Sequence, residues 1–299
     1  MLDQPLVTIV TLNWNSTKVT SELLLSIKEQ NTYSNLEIII VDNASREDPS
    51  SLFQSILQSA KVIRNTENLG FSAGNNVGIK AALGDYLFLV NNDTEFSPGL
   101  IEALLEVFRQ NDDAGIVCPK FHYYFNKGTI EYAGYNPVNI LTGRNGMIGR
   151  GEKDEGQYDR LKKTNYAHGG AMMVSKKAVE KVGLLPEQFF LYYEELDWSI
   201  KFKKSGYNIY FQPAALIYHK ESMTTGKTSP LKTFYLTRNR ILFMRRNTPL
   251  PALCVFYLYF VLFTIPKNSL AYILNRETEH LRSFWKGFLW HINSKITFN

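Results

Sequence analysis

With 299 residues, 44% of them hydrophobic and 20% charged, the chain can bury one large domain plus an appendage, which excludes a disordered or fibrous protein. Its two cysteines, Cys118 and Cys254, have no CxxC spacing, which excludes a disulfide framework and structural zinc and points to a reducing compartment. The net charge of +5 is uneven: residues 226–299 hold 11 Lys/Arg against Glu277 and Glu279, and the rest of the chain is net acidic.

In chain order, Met1-Leu-Asp-Gln-Pro5 lacks a basic leader and runs directly into a β-rich apolar strand, Leu6 to Leu12. A helix over about 16–30 follows, with Leu23, Leu24 and Ile27 on its apolar side. Residues 38–41 and 62–64 read as further strands, 75–83 as a helix, and 86–90 as a fully apolar strand ending on Asn91-Asn92-Asp93. Ser97-Pro98 starts a helix to about residue 110. Strands alternating with helices imply an α/β domain around a parallel, doubly wound sheet.

From 121 to 165 the pattern loosens into Gly, Asn, Tyr and charges, as functional loops do. Regular structure resumes at 168–174, with a short helix over 175–182 and another over 194–204, closed by Gly206. Residues 208–211 and 215–218 read as two strands, the second ending at His219. Residues 231–246 are helical and dense in Tyr, Phe and Arg. The apolar run 250–265, bracketed by Pro249, Pro251 and Pro266, is shorter than the about 20 residues that span a bilayer, and predicts an interfacial or re-entrant helix. A basic amphipathic segment with Arg282, Trp285, Lys286 and Trp290 follows it, and burial against the domain or a dimer partner is the alternative. Such a tail suits an anionic membrane surface, and no zinc-finger or aromatic RNA-binding signature favours nucleic acid.

Four polar clusters fall at strand ends or helix starts: Thr11-Leu12-Asn-Trp14-Asn15, Val41-Asp42-Asn-Ala-Ser45, the Gly/Asn stretch from Asn68 through Asn75 to Asn76, and Asn91-Asn92-Asp93. Each alone is ordinary turn chemistry. Four in order on the carboxyl rim of a parallel sheet describe a nucleotide pocket: an aromatic and an Asp for the base, a loop whose free N–H groups suit an anion, and an oxygen-ligated divalent cation for a diphosphate. The loop is not GxxxxGK[ST], so a P-loop is excluded. Downstream, Glu194, Glu195 and Asp197 sit at a helix N-terminus, where an ionised carboxylate can act as general base. Helical spacing sets Glu194 and Asp197 on one face and Glu195 on another.

The order VDNAS, NLGFSAGNN, LFLVNNDT, HGGAMMVSKKAVEKVG, FFLYYEELDWSIKFKKSGY and IYH resembles glycosyltransferase family 2, near its bacterial rhamnosyltransferase-like members, over about residues 5–245. The resemblance implies a GT-A fold: a mostly parallel, Rossmann-like sheet flanked by helices, with a helical, membrane-associating C-terminal region. The change of character after Thr228 divides the chain into a catalytic domain over 1–228, its nucleotide-sugar half about 1–115 and acceptor half about 116–228, and a C-terminal region over 229–299. The resemblance also implies a nucleotide-diphosphate sugar donor of dTDP or UDP type, a divalent cation (Mg²⁺ or Mn²⁺), inversion at the anomeric carbon, and a saccharide or lipid-linked saccharide acceptor at the cytoplasmic face of the membrane. Carried over by motif, Leu12, Trp14 and Asp42 fall on the base side, and Asn68 and Asn75 near ribose and phosphate. Asn92 and Asp93 fall in the metal motif, with Asp93 and His219 the ligands. Glu195 falls on the catalytic base, with Glu194 supporting it and Asp197 orienting the helix or meeting the acceptor. Arg238 and Arg240 are candidates for a phosphate clamp, membrane-surface charge being the other reading. Many relatives carry two acids where this chain has Asn92-Asp93, so metal is expected to bind mainly with the donor's diphosphate. A nucleotidyltransferase and a non-catalytic sugar-nucleotide-binding scaffold are the competing classes.

Overall fold

Apolar runs without alternation need cover on both faces, and the first half of the chain provides it. The computed structural model describes residues 4–220 and 229–293. The predicted boundary at 228, and the ends of the basic region at 226–228 and 294–299, lie outside the described residues. Strands β1 (Val7–Asn13), β2 (Leu36–Asp42), β3 (Lys61–Arg64) and β4 (Tyr86–Val90) lie in the order β3-β2-β1-β4, all parallel. Between them run α1 (Thr17–Gln30), α2 (Ser50–Ile56) and α3 (Gly70–Ala81). The β1–β2 register sets Asn13 beside Asp42, so the predicted polar clusters end level on one rim.

Beyond β4 the sheet stops being parallel, a correction to the doubly wound expectation. Strand β5 (Thr94–Phe96), α4 (Leu100–Gln110) and the long β6 (Ala114–Tyr123) come next in the chain. After them come β7 (Ile130–Tyr132), β8 (Lys162–Lys163), β9 (Ala171–Ser175), α5 (Lys176–Val182), α6 (Glu194–Lys204) and β10 (Asn208–His219). β9 lies antiparallel between β4 and β6, and β10 pairs parallel with β6 and antiparallel with β5. Register shifts between Asn208 and Ile209 and between Gln212 and Leu216 bend β10, which is one strand where the hydrophobic pattern reads as two. The loose stretch 121–165 contains the end of β6, β7 and β8. Helix α3 starts five residues before its predicted position, because Gly70 takes the φ of +76° that opens it.

The C-terminal helices are α7 (Pro230–Asn247), α8 (Leu250–Tyr259), α9 (Ile265–Leu274) and α10 (Thr278–Asn293). Ser229 caps α7, its Oγ accepting from Lys232 N–H at 3.1 Å, with Pro230 at the first helical position. The predicted stop at 265 is corrected: α8 and α9 join through a wide π-turn, Phe260–Thr264, into 25 continuous residues, Leu250–Leu274, long and apolar enough to cross a membrane. Proline 266 has no N–H and its ring crowds the carbonyl four residues back, and the wider turn relieves both. The following segment is no free surface helix. α10 docks on α7, where a Cβ at Gly287 would stand 2.8 Å from the Phe234 carbonyl oxygen. A second core, with Phe189, Leu196, Phe243, Phe256, Phe260 and Phe284, joins α6 to these helices.

Candidate active site

The rim predicted from the four clusters opens on a cavity of about 370 Å³. Leu12 and Trp14 after β1, Asn43 after β2, Asn68, Gly70 and Phe71 at the start of α3, and Asn91, Asn92 and Asp93 after β4 form one side. Phe190, Leu191 and Tyr192 before α6, His219, and Leu231, Lys232 and Tyr235 of α7 form the other. The first helix of the C-terminal region is therefore a wall of the site, which composition alone did not signal.

A buried polar chain holds the rim. Asn92 Nδ2 donates to Thr20 Oγ1 at 2.9 Å, Thr20 Oγ1 donates to Asn13 Oδ1 at 2.8 Å, and Asn13 Nδ2 donates to Asp42 Oδ1 at 2.7 Å. Asp42 also accepts from the Ser45 hydroxyl at 2.5 Å and from Arg64 Nε at 3.2 Å, and its side chain is fully buried. The structure thus moves Asp42 from the cavity surface to the scaffold beneath it, and Asn43 takes the surface position. Asn75 is likewise scaffold, its amide donating to the Phe71 carbonyl at 2.9 Å. The expectation of free N–H groups at the glycine loop is also corrected. Gly70 N–H is bound by Asn68 Oδ1 at 2.9 Å, and Phe71 N–H by the Phe190 carbonyl at 2.6 Å.

Asp93 and His219 meet because Thr94 is registered opposite His219 between β5 and β10. Asp93 Oδ1 lies 3.2 Å from His219 Nε2 at an angle that makes no hydrogen bond, and among the described residues this buried oxygen has no hydrogen-bond partner. On the other ring nitrogen, Nδ1 is 2.8 Å from Glu131 Oε2. Burial opposes charge on this imidazole, but the two carboxylates outweigh it and push its pKa up to about 10. Glu131, on β7, is the partner sequence reading missed, since a single Glu in a loosely patterned stretch gives no signal. Among the described residues no cluster of three or more His, Cys, Asp or Glu could hold a metal ion. The pair Asp93 Oδ1 and His219 Nε2 would fit a divalent cation that displaces the proton from Nε2 and takes its other ligands from outside: the oxygen makes no hydrogen bond among the described residues, and Glu131 orients the ring as carboxylates orient metal-bound histidines.

The acid cluster divides into three environments, where helical spacing alone separates only Glu195 from the other two. Glu195 lies under the His168-Gly169-Gly170 turn, where a Cβ at Gly169 would stand 3.8 Å from its Cδ. Gly170 accepts from Asn91 N–H at 2.8 Å, which ties that turn to the metal-motif end of β4. Burial pushes the Glu195 carboxyl up to about 7. Glu194 is more deeply buried, its Oε2 has no hydrogen-bond partner among the described residues, and burial and the neighbouring Glu195 raise its pKa well above the usual range. Asp197 is in neither environment. It accepts from Arg246 Nε at 3.0 Å and Asn247 Nδ2 at 2.7 Å, which fastens α6 to α7 and keeps it from the cavity. Arg238 lies outside the cavity lining, its Nη2 donating to the carbonyls of Gln188 at 2.9 Å and Phe189 at 2.6 Å.

A nucleotide-sized cavity on the carboxyl rim of a mixed sheet, walled by the loop that leads into a carboxylate helix, is the architecture of a GT-A glycosyltransferase. The chain belongs to glycosyl transferase family 2, whose model matches residues 8–183. It is similar to the dTDP-rhamnosyl transferase RfbF of Shigella flexneri, 25% identical over 242 residues that cover 75% of each chain. It is also similar to an uncharacterized protein of Sinorhizobium fredii, 27% identical over 257 residues. That match covers 81% of this chain but spans only about a quarter, 27%, of the longer relative. Among solved structures, the mannosyltransferase PcManGT from Pyrobaculum calidifontis, in complex with GDP-Man and Mn²⁺, aligns with a TM-score of 0.59 at 14% identity, over 99% of this chain and 77% of that one. At that identity the likeness is one of fold.

Proposed function

We propose that the protein is an inverting, metal-dependent glycosyltransferase that moves a sugar from a nucleotide-diphosphate donor to a saccharide or lipid-linked saccharide acceptor at the cytoplasmic membrane face. The observation that carries this reading is the orphaned Asp93 Oδ1 beside His219 Nε2 on the edge of the cavity. The donor's base lies toward Trp14 and Asn43, and its diphosphate toward Asp93, His219 and Lys232. Asp93 and His219 would hold a divalent cation, which would supply neutralisation of charge on the leaving diphosphate. Glu195, with a pKa of about 7, is ionised in a large fraction of molecules at neutral pH and accepts the proton of the acceptor hydroxyl, whose oxygen displaces the diphosphate directly. Glu194, held neutral by burial, leaves the negative charge to its neighbour. Rhamnose is the favoured sugar, on the similarity to RfbF. The exposed apolar helix Leu250–Leu274 and the basic balance around it support membrane association.

The test is a thermal-shift panel of dTDP-rhamnose, UDP-glucose, UDP-N-acetylglucosamine and GDP-mannose, each with and without Mn²⁺ or Mg²⁺, on wild type and Asp93→Asn. One donor is expected to raise the melting temperature of wild type only when the cation is present, and Asp93→Asn is expected to lose that increment. Equal stabilisation without cation overturns the metal assignment, and tight cation binding to the donor-free protein by calorimetry overturns the expectation that metal arrives with the donor's diphosphate.

A further inference from the structure

The segment that joins the cavity wall to Glu195 is held in an unfavourable backbone form. Phe190 has φ 61° and ψ −52°, and Leu191 N–H donates back to the Phe189 carbonyl at 2.7 Å, which makes the strained, positive-φ form of the γ-turn. Tyr192 and Tyr193 follow at φ 71° and 74°, and Tyr193 is the residue from which α6 starts. Three non-glycine residues in four with left-handed backbone do not persist unless their surroundings impose them. The fold uses this shape: Phe190, Leu191 and Tyr192 wall the cavity, and Glu194 and Glu195 come next in the chain.

Phe71 N–H holds the Phe190 carbonyl at 2.6 Å, and one side chain of α7 gathers the carbonyls on either side of it. Asn239 is fully buried, and its Nδ2 lies 2.8 Å from the Phe189 carbonyl oxygen, 2.6 Å from that of Leu191 and 2.8 Å from that of Tyr192. Apart from the Leu191 N–H bond to Phe189, the turn offers its carbonyls no ladder, so those of Leu191 and Tyr192 need a donor from elsewhere. Arg238 completes the clamp, with Nε donating to Asn239 Oδ1 at 2.7 Å and fixing which end of the amide faces the loop, while its Nη2 holds the Gln188 and Phe189 carbonyls. One turn earlier in α7, Tyr235 stacks on Phe190, ring centroids 5.0 Å apart.

We propose that Asn239 is a positioning residue for sugar transfer, one that holds the 189–192 turn in its strained form and so sets both the donor-cavity wall and the start of the helix that carries Glu195. Its effect on turnover rests on Glu195 being the base; its effect on donor binding does not. A donor amide is what the three carbonyls require, and Asp has the same shape without the N–H groups.

The experiment measures steady-state kinetics and donor affinity for Asn239→Ala, Asn239→Asp and Arg238→Lys, normalised to folded protein, with Leu242→Ala as the control. Leu242 lies in the same helix and core but touches none of the turn's carbonyls in the hydrogen-bond network. Both Asn239 variants are expected to lose about 10- to 100-fold in kcat and several-fold in donor affinity, with Arg238→Lys intermediate, which is what misplacement of reacting groups costs. Leu242→Ala is expected to lower the melting temperature at least as far while kcat stays within about twofold, because its defect is one of packing alone. Asn239→Asp keeps the packing volume, so it remains informative if Asn239→Ala does not fold. Folded Asn239 variants with kcat and donor affinity within about twofold of wild type overturn the proposal, as does Leu242→Ala losing activity in equal measure. Glu195→Gln is run in parallel: if it turns over normally the base assignment falls, and Asn239 is then judged on donor affinity alone.

Discussion

Glu194 and Glu195 are adjacent, yet only one keeps a pKa inside the working pH range, about 7 for Glu195, while Glu194 is held well above its usual value. For turnover the base must be ionised, so the rate is expected to rise with pH through about 7 and to level off above it. Glu195→Gln removes that limb and lowers turnover by about 10²- to 10⁴-fold with the fold intact, checked by a pH–rate profile and circular dichroism. Stability moves the other way. The folded-state pKa lies above the ordinary 4.5, so the folded chain holds a proton that the unfolded chain has released. That contribution is complete below about pH 4.5 and is lost as pH rises through about 7. Glu195→Gln is therefore expected to gain on the order of 3 kcal/mol over wild type in denaturant titrations at pH 8 relative to pH 4. Asp93, His219 and Glu195 were legible in the sequence because each ends a strand or opens a helix, where side chains reach a rim. Glu131 and Asn239 were not, since their partners lie 88 and about 50 residues away in the chain. Asp42 and Arg238 lie outside the cavity lining for a related reason: internal donors and carbonyls that sequence does not disclose engage them.

Among the elements, α7 departs furthest from expectation. Read as the first helix of a separable tail, it lines the cavity, clamps the turn before α6, and is tied to α6 by the Asp197–Arg246 ion pair, with side chains 2% and 9% exposed. Removing one partner strands the other's charge in a buried setting. Asp197→Asn is expected to cost roughly 3 kcal/mol, read from the denaturation midpoint, while turnover per folded molecule stays near wild type. A loss of activity without a loss of stability would return Asp197 to the catalytic group. Helix and strand boundaries were read well where burial is amphipathic, as in α6, and poorly where backbone rather than side chains decides. The left-handed Gly70 starts α3 early, and the register shift between Gln212 and Leu216 hides a single strand behind an apparent break.

For the molecule as a whole, the outward side of Leu250–Leu274, with Leu258, Leu262, Phe263 and Ile273 exposed, sits in a region of basic balance. Co-sedimentation with vesicles is expected to be stronger for anionic than for neutral lipid and to weaken as salt rises toward 1 M, where charges are screened beyond about 3 Å. Paired Leu262→Asp and Phe263→Ser substitutions are expected to reduce it with little change in melting temperature, and unchanged partitioning would argue for a protein partner instead. The mixed sheet also sets a chronology. β1 to β4 lie within the first 90 residues, but β9 joins them only after a gap of 80 residues, and the register that brings His219 to Asp93 joins Thr94 to a strand ending 125 residues later. Pairings at such separations close last. A growing chain can thus complete most of its nucleotide half well before Asp93, Glu131 and His219 come together, so the competence to hold a charged donor arrives only when the final strand does.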